Sequence, residues 1–278
     1  MSNVAQFYEV LTAAINDMLE HGFDSQDRVD RWLGELERAA RAALIPEYAL
    51  TELLKNRLGT VFKRNATTGK LLKKNPGVGQ FTLDMVKPKL RAELDRRILA
   101  SAQLIKLNRE QSIARTLQRF SGWSTSIPLG GTDVAKRKQV KQNVRRGIAA
   151  LPFEERRVIV DQGHRLVAAV NEIVATDGGA IAGEWHHIPE GPPAYDARPV
   201  HVARHKKIYL IRGSWAHQQG LVKPGSPGFT DEITAPAEEI FCRCSYRYLY
   251  SPSELPPGML TAKGKLALLE ARKIIHAL

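Results

Sequence analysis

A chain of 278 residues with 41 Lys/Arg against 29 Asp/Glu carries a net charge of +12 and is long enough to bury a sizeable core as one large or two modest domains. No apolar run follows a basic start, and none reaches the roughly 18–20 residues of a spanning helix, so neither a signal peptide nor a transmembrane segment is expected. The basicity is concentrated: residues 1–51 hold 4 Lys/Arg and 9 Asp/Glu, residues 52–165 hold 25 and 9, and residues 166–278 hold 12 and 11. A block of that sign favours polyanionic partners.

Val4, Phe7, Leu11, Ile15 and Leu19 recur at three- and four-residue steps, which predicts a first helix stopping at Gly22. Asp24-Ser25 caps a second helix through Leu44, Pro46 marks a restart, and Leu50, Leu53, Leu54, Leu58 and Val61 continue an apolar face. Asn65, Gly69, Asn75-Pro76-Gly77 and Gly79 mark a loop. The next helix begins near Leu83-Asp84, takes Pro88 in its first turns and runs toward Phe120, burying Leu90, Leu94, Ile98, Leu104 or Ile105, and Ile113. The loop from Gly122 to Gly131 ends it. Thr132 or Asp133 then caps a basic helix through Ala150, and Pro152 opens a further helix toward Asp177-Gly178-Gly179.

Beyond Gly183 the pattern changes to short strand-like runs, Lys207 to Ile211 and Ser245 to Leu249, between Pro- and Gly-rich turns. A last helix from about Thr261 carries Leu266, Leu269, Ile274 and Leu278 as an apolar stripe, expected to pack back on its own domain. The fold class is therefore α+β. A mainly helical, basic-surfaced body over residues 1–150 precedes a small module with short strands over 151–250 and a tail helix over 251–278.

Within the basic block, Lys70, Lys73, Lys74, Lys87 and Lys89 surround the predicted loop, while Lys136, Arg137, Lys138, Lys141, Arg145 and Arg146 spread over one predicted helix. That spread suits phosphate contacts without base readout, and equally a solvated face. Cys242 and Cys244, one residue apart, are poorly placed for a relaxed disulfide, so reduced thiols or metal ligands are expected. A tetrahedral zinc site needs two more ligands. His201 is the first candidate and His205 the second, with His186, His187 and His217 as alternatives.

Catalytic patterns are sparse. Glu184-Trp185-His186-His187 holds one Glu-x-x-His, where carboxylate-bridged metal sites in bundles use two. Asp161 and His164 are spaced for a surface ion pair on a helix. Glu238 and Glu239, if extended, point to opposite faces; either is placed to orient Arg198 or Arg243 through a carboxylate–guanidinium fork.

Three pieces combine into a larger pattern: Gly183-Glu184-Trp185, then Asp196-Ala197-Arg198-Pro199-Val200-His201, then Glu239-Ile240-Phe241-Cys242-Arg243-Cys244. Together they resemble the C-terminal signature of Mu F-type phage head morphogenesis proteins, over roughly residues 154–250. The family pattern is a Trp at the end of a helix, an Asp/Arg/His cluster, a proline-rich approach, and a Glu followed by Cys-Arg-Cys. Two features differ: Asp161-Gln162-Gly163-His164 stands where an Arg-Thr-Glu-like triplet is frequent, and Phe241 stands where Asn commonly precedes the first cysteine.

The resemblance implies a non-catalytic minor head protein of a tailed phage, made in the host cytoplasm and carried in the virion. Its implied partners are the portal, the capsid interior and, through the basic helices, the DNA backbone, in head assembly and genome delivery. Trp185, Asp196, Arg198, His201, Glu239, Cys242, Arg243 and Cys244 are expected to meet as a structural network or structural zinc site. They would reinforce a thin core of Trp185, Ile208, Leu210, Ile240, Tyr246 and Leu249. The alternatives are a metal-dependent nuclease or phosphodiesterase built on His186, His187, His201 and His205, and a non-specific DNA-binding protein.

Overall fold

The computed structural model describes residues 3–131, 137–188 and 198–277. Among them the helices are α1 (Asn3–His21), α2 (Gln26–Ala42), α3 (Glu47–Asn65), α4 (Thr68–Lys74), α5 (Gln80–Ser124) and α6 (Arg137–Asp177). Then follow β1 (Ala182–His186), α7 (Pro199–Ala203), β2 (Ile208–Leu210), α8 (Trp215–Gln218), β3 (Ser245–Leu249) and α9 (Ala262–Ala277). The fold is a mainly helical body with a small α+β module and a C-terminal helix. No helix among the described residues is long and apolar enough to cross a membrane.

The chain divides into two compact units that interleave along the sequence. Unit 1 comprises residues 1–56 and 98–159, and unit 2 comprises residues 57–97 and 160–278. The helical segment 1–150 thus contributes to both.

Unit 1 is built on the periodicity of its first helix. Phe7, Leu11, Ile15 and Leu19 are buried and pack with Val29, Leu36 and Ala40 of α2, Ile113 and Phe120 of α5, and Val144, Ile148 and Leu151 of α6. Val4, at the frayed start of the same stripe, is 38% exposed. Ser25 caps α2, its hydroxyl accepting the Arg28 backbone N–H. Asp17 accepts hydrogen bonds from Arg28 and from the Trp32 indole, tying α1 to α2. The turn between them needs Gly22, whose φ is 72° and whose missing Cβ would strike the Pro128 carbonyl. Gly22→Ala is expected to cost at least the roughly 1–2 kcal/mol of a left-handed non-glycine residue, read as a lowered unfolding midpoint in urea.

Three helical expectations are corrected. A seven-residue helix, α4, lies inside the predicted loop. Helix α5 starts at Gln80, so Pro88 sits past its first turns, and α6 runs unbroken through Pro152. Both prolines are exposed, which leaves the freed carbonyls to water. Buried neighbours on either side, Val86 and Leu90, Leu151 and Leu166, hold the helix together. Of the alternatives on α5, Ile105 is buried and Leu104 is 38% exposed. Thr132 and Asp133 lie outside the described residues.

Unit 2 centres on a three-stranded antiparallel sheet in the order β2-β1-β3, with Trp185 opposite Tyr246 and Glu184 opposite Arg247. Strand alternation sends Ala182, Leu210 and Leu249 to one face, where Phe229, Leu255 and Met259 close an apolar cluster. Trp185 and Tyr209 point to the other face, with Cys242 and Cys244. Gly183 lies under the Tyr246 ring, which a Cβ would strike. The turn at Asn75-Pro76-Gly77 joins this unit: Gly77 accommodates the Tyr250 ring, and the Tyr250 hydroxyl donates to the buried Asn75 side chain at 2.9 Å.

Two apolar expectations fail in this unit. Ile240 is 61% exposed, because its residue lies in a turn and not on a strand. The α9 stripe of Leu266, Leu269 and Ile274 faces outward at 61%, 54% and 62% exposure, while Gly264 and Leu268 make the inward contacts. Leu278 lies outside the described residues.

Candidate metal centre

The site is assembled from three places in the chain. Strand β1 supplies Trp185 and runs into His187; the five-residue α7, opened by Pro199 at its first turn, supplies His201; the turn before β3 supplies Glu239, Cys242 and Cys244. His201, Cys242 and Cys244 are buried and bring one donor atom each within 4.8 Å of one another, which is metal-binding distance. The His201 Nδ1 is 3.5 Å from the Cys242 sulfur and 3.9 Å from the Cys244 sulfur.

The other nitrogen of His201 is also engaged. Its Nε2 lies 3.2 Å from Glu239 Oε1, which accepts a second hydrogen bond from the Thr234 hydroxyl at 3.1 Å. The second Glu239 oxygen pairs with Arg198 Nε at 2.7 Å, and Arg198 also donates to the Ile240 carbonyl. The expected carboxylate–guanidinium pair is therefore Glu239 with Arg198, joined through Nε alone and not as a two-pronged fork. Glu238 and Glu239 lie in a turn, and Glu238 accepts the Ala235 backbone N–H at 2.6 Å.

Trp185, fully buried, forms the wall. Its ring meets His201 edge-on at 5.3 Å and Tyr246 at 5.6 Å, with the Arg204 guanidinium 5.0 Å from its centroid. The Trp residue stands on a strand, not at a helix end as the family pattern implies. The reason is Gly178-Gly179, which stops α6, after which the Ala180–Trp185 stretch pairs as the central strand. Among the described residues the indole N–H has no partner of regular geometry, and its lowering effect on Cys244 is outweighed by those that raise that thiol.

The cysteine pair holds its protons unequally. The neighbouring Cys244 thiol holds Cys242 below the ordinary thiol range, with burial opposing. The neighbouring Cys242 and burial push Cys244 up. Both sulfurs are free of disulfide.

The loop carrying the pair is held by residues that local patterns did not single out. Asp161 is buried, not part of a surface pair with His164. One of its oxygens pairs with Arg165 Nε at 2.8 Å, and the other accepts the Phe241 N–H at 2.6 Å. That contact spans 80 positions, so no short-range signal could have shown it. Phe241 has φ 60°, the left-handed conformation that Asn tolerates better than a bulky residue.

Other expected site residues separate from the cluster. His205 is no ligand here: its Nδ1 accepts the His187 backbone N–H at 3.2 Å and so positions that residue. Instead, the His187 Nδ1 faces the Cys244 sulfur at 3.7 Å. Glu184 pairs with His186 Nε2 at 2.9 Å and Arg247 at 2.6 Å; on a strand its i+3 neighbour His187 is on the opposite face, so no Glu-x-x-His site forms. Of the four histidines of the nuclease alternative, His187 and His201 both face the Cys244 sulfur, His205 holds the His187 main chain, and His186 pairs with Glu184. Arg243 is half-buried, and Asp196 lies outside the described residues.

Lys70, Lys73 and Lys74 are exposed on α4 in unit 2, with Lys70 donating to the Arg64 carbonyl. Lys74, exposed as a residue, is held below the ordinary lysine range by partial burial of its ammonium end and by the charge of Lys70. Lys138, Lys141, Arg145 and Arg146 lie on α6 in unit 1, all exposed except the half-buried Lys141. Lys136 lies outside the described residues, as does the side chain of Arg137.

No protein-family model, curated protein or solved structure matches this chain.

Glu239 sets a pH signature. Burial pushes its carboxyl up, but the hydrogen bonds from His201 and Thr234 and the charge of Arg198 outweigh that and hold it below the ordinary 4.5. A folded value below the unfolded one stabilises the fold above about pH 4.5, and that stabilisation is lost as pH falls through the folded value. The parent's melting temperature is expected to drop on acidification through this window. Glu239→Gln should flatten that part of the profile, as differential scanning fluorimetry at closely spaced pH values would show.

Proposed function

We propose that this chain is a minor head protein of a tailed bacteriophage, of the Mu F type, acting by binding rather than by catalysis. The observation that supports the reading is the convergence of the signature: Trp185, His201, Cys242 and Cys244 come from separate segments and meet in a buried cluster, which the partly buried Glu239 and the exposed Arg198 brace from outside. A pattern of that kind fixes the shape of a small sheet module whose apolar core is thin. Such a rigid module suits a protein docked at the portal vertex or inside the capsid, and the exposed cations of α4 and α6 suit contact with the DNA backbone.

The donor set fits zinc. Two thiolates and an imidazole suit this soft-to-borderline ion, and two thiolates neutralise its charge inside a buried site. Glu239 on the far nitrogen of His201 is the carboxylate support that zinc-bound histidines commonly have. The metal's role would be to hold the loop before β3 against α7.

The test is co-expression with a tailed-phage portal protein from the same genome, followed by size-exclusion chromatography at low and moderate salt. Stable co-elution at both is the expected result. Separate elution, with salt-sensitive DNA binding or plasmid cleavage in Mg²⁺, Mn²⁺ or Zn²⁺, would overturn it.

A further inference from the structure

The trio of His201, Cys242 and Cys244 leaves one corner of a tetrahedron to be filled. That corner decides whether a metal here is closed and structural or open to solvent and substrate. We propose that His187 is the fourth ligand, giving a closed Cys2His2 centre; this deepens, and rests on, the zinc reading above.

Two geometric observations support it. Zinc–sulfur and zinc–nitrogen bonds of about 2.3 and 2.0–2.1 Å imply sulfur–nitrogen edges of about 3.5–3.6 Å in a tetrahedron. The three sulfur–nitrogen separations are 3.5 Å (Cys242–His201), 3.7 Å (Cys244–His187) and 3.9 Å (Cys244–His201). Both imidazoles present Nδ1, so each approaches the sulfurs from the nitrogen nearer its own backbone. His187 meets the trio at Cys244, and bringing it to the shared centre takes a rotation of its side chain toward Cys242.

Burial and support point the same way. His187 is 8% exposed, which makes it a residue of the interior, with its nitrogen against a thiol instead of water. Its main chain is fixed by the hydrogen bond to His205, and His186 beside it is held by Glu184. Outer contacts of this kind orient a ligand before the metal arrives. The two thiolates would balance a divalent ion, with both histidines neutral, so the closed centre carries no net charge into the interior.

The test uses the full chain purified without a histidine tag, with metal content measured and Co²⁺ then substituted under reducing conditions. One metal per chain and the strong visible bands of tetrahedral Co²⁺ with thiolate ligands are expected for the parent. His187→Ala should weaken binding by more than the roughly 10–100-fold that loss of a supporting contact costs, and should open the ion to added imidazole. His187→Cys guards against misfolding: it should retain the metal and raise thiolate-to-cobalt absorption to about three-halves, as the thiolates go from two to three. Parent affinity and an unchanged spectrum in His187→Ala would overturn His187 as ligand and leave the three-donor zinc reading standing. A metal-free parent would overturn both, whereas portal co-elution is judged by its own measurement.

Discussion

Trp185→Ala is expected to destabilise unit 2 by about 3–5 kcal/mol, the usual cost of deleting a large buried aromatic side chain. The indole is fully buried, packs edge-on against His201 and Tyr246, and carries the Arg204 guanidinium on its face. Its removal therefore deletes packing on the sheet and the wall of the cysteine–histidine cluster together. Trp185→Phe keeps part of the volume and should recover about half of the loss, although the indole N–H that favours the Cys244 thiolate is gone. Hydrogen exchange resolved by peptide should show the loss in β1, β2 and β3. Equal protection of these strands in the parent and in Trp185→Ala would show that the cluster does not depend on its wall.

Asp161→Ala should be nearly as severe, at about 3 kcal/mol, toward the lower end for breaking a buried ion pair because the Arg165 side chain keeps 21% exposure. The loss has two parts. The half-buried Arg165 loses its carboxylate partner, and the Phe241 N–H loses the acceptor that holds a left-handed residue next to the first cysteine. Asp161→Asn keeps an oxygen for the Phe241 N–H and should retain more than half of the stability. Chemical denaturation of the three proteins gives the partition, and cysteine reactivity toward a thiol reagent reports the loop. Faster labelling in the Ala variant than in the Asn variant is the expected order.

The sequence made the regular parts of this fold legible and left the irregular ones obscure. Helix α1, the Ser25 cap and strand β3 follow from apolar spacing and capping chemistry that act over a few residues. The continuity of α6 through Pro152 did not, because buried side chains on both sides outweigh a local breaker. In the site, Cys242, Cys244 and His201 were evident from residue type and order, whereas the Glu239–Arg198 pair was one of four combinations that order alone left open. His205 and His187 exchanged roles, since which of two nearby histidines turns a nitrogen to sulfur depends on main-chain direction after β1. Asp161 was hidden because its partner is remote in sequence, and the exposed α9 stripe shows that an amphipathic pattern does not say what covers its apolar side.

The interleaving of the two units sets an order on synthesis. Helices α1 and α2 are made before the rest of their core, which lacks Ile113, Phe120, Val144, Ile148 and Leu151 until residues 98–159 have followed. Residues 57–97 wait longer still, for the strands that begin at Ala182 and for Tyr250, which meets Asn75 across 175 positions. Long-range closure of this kind slows folding and leaves apolar surface open meanwhile. A nascent chain stalled near residue 100 would therefore present two incomplete cores at once, and that is the stage at which a chaperone has most to hold.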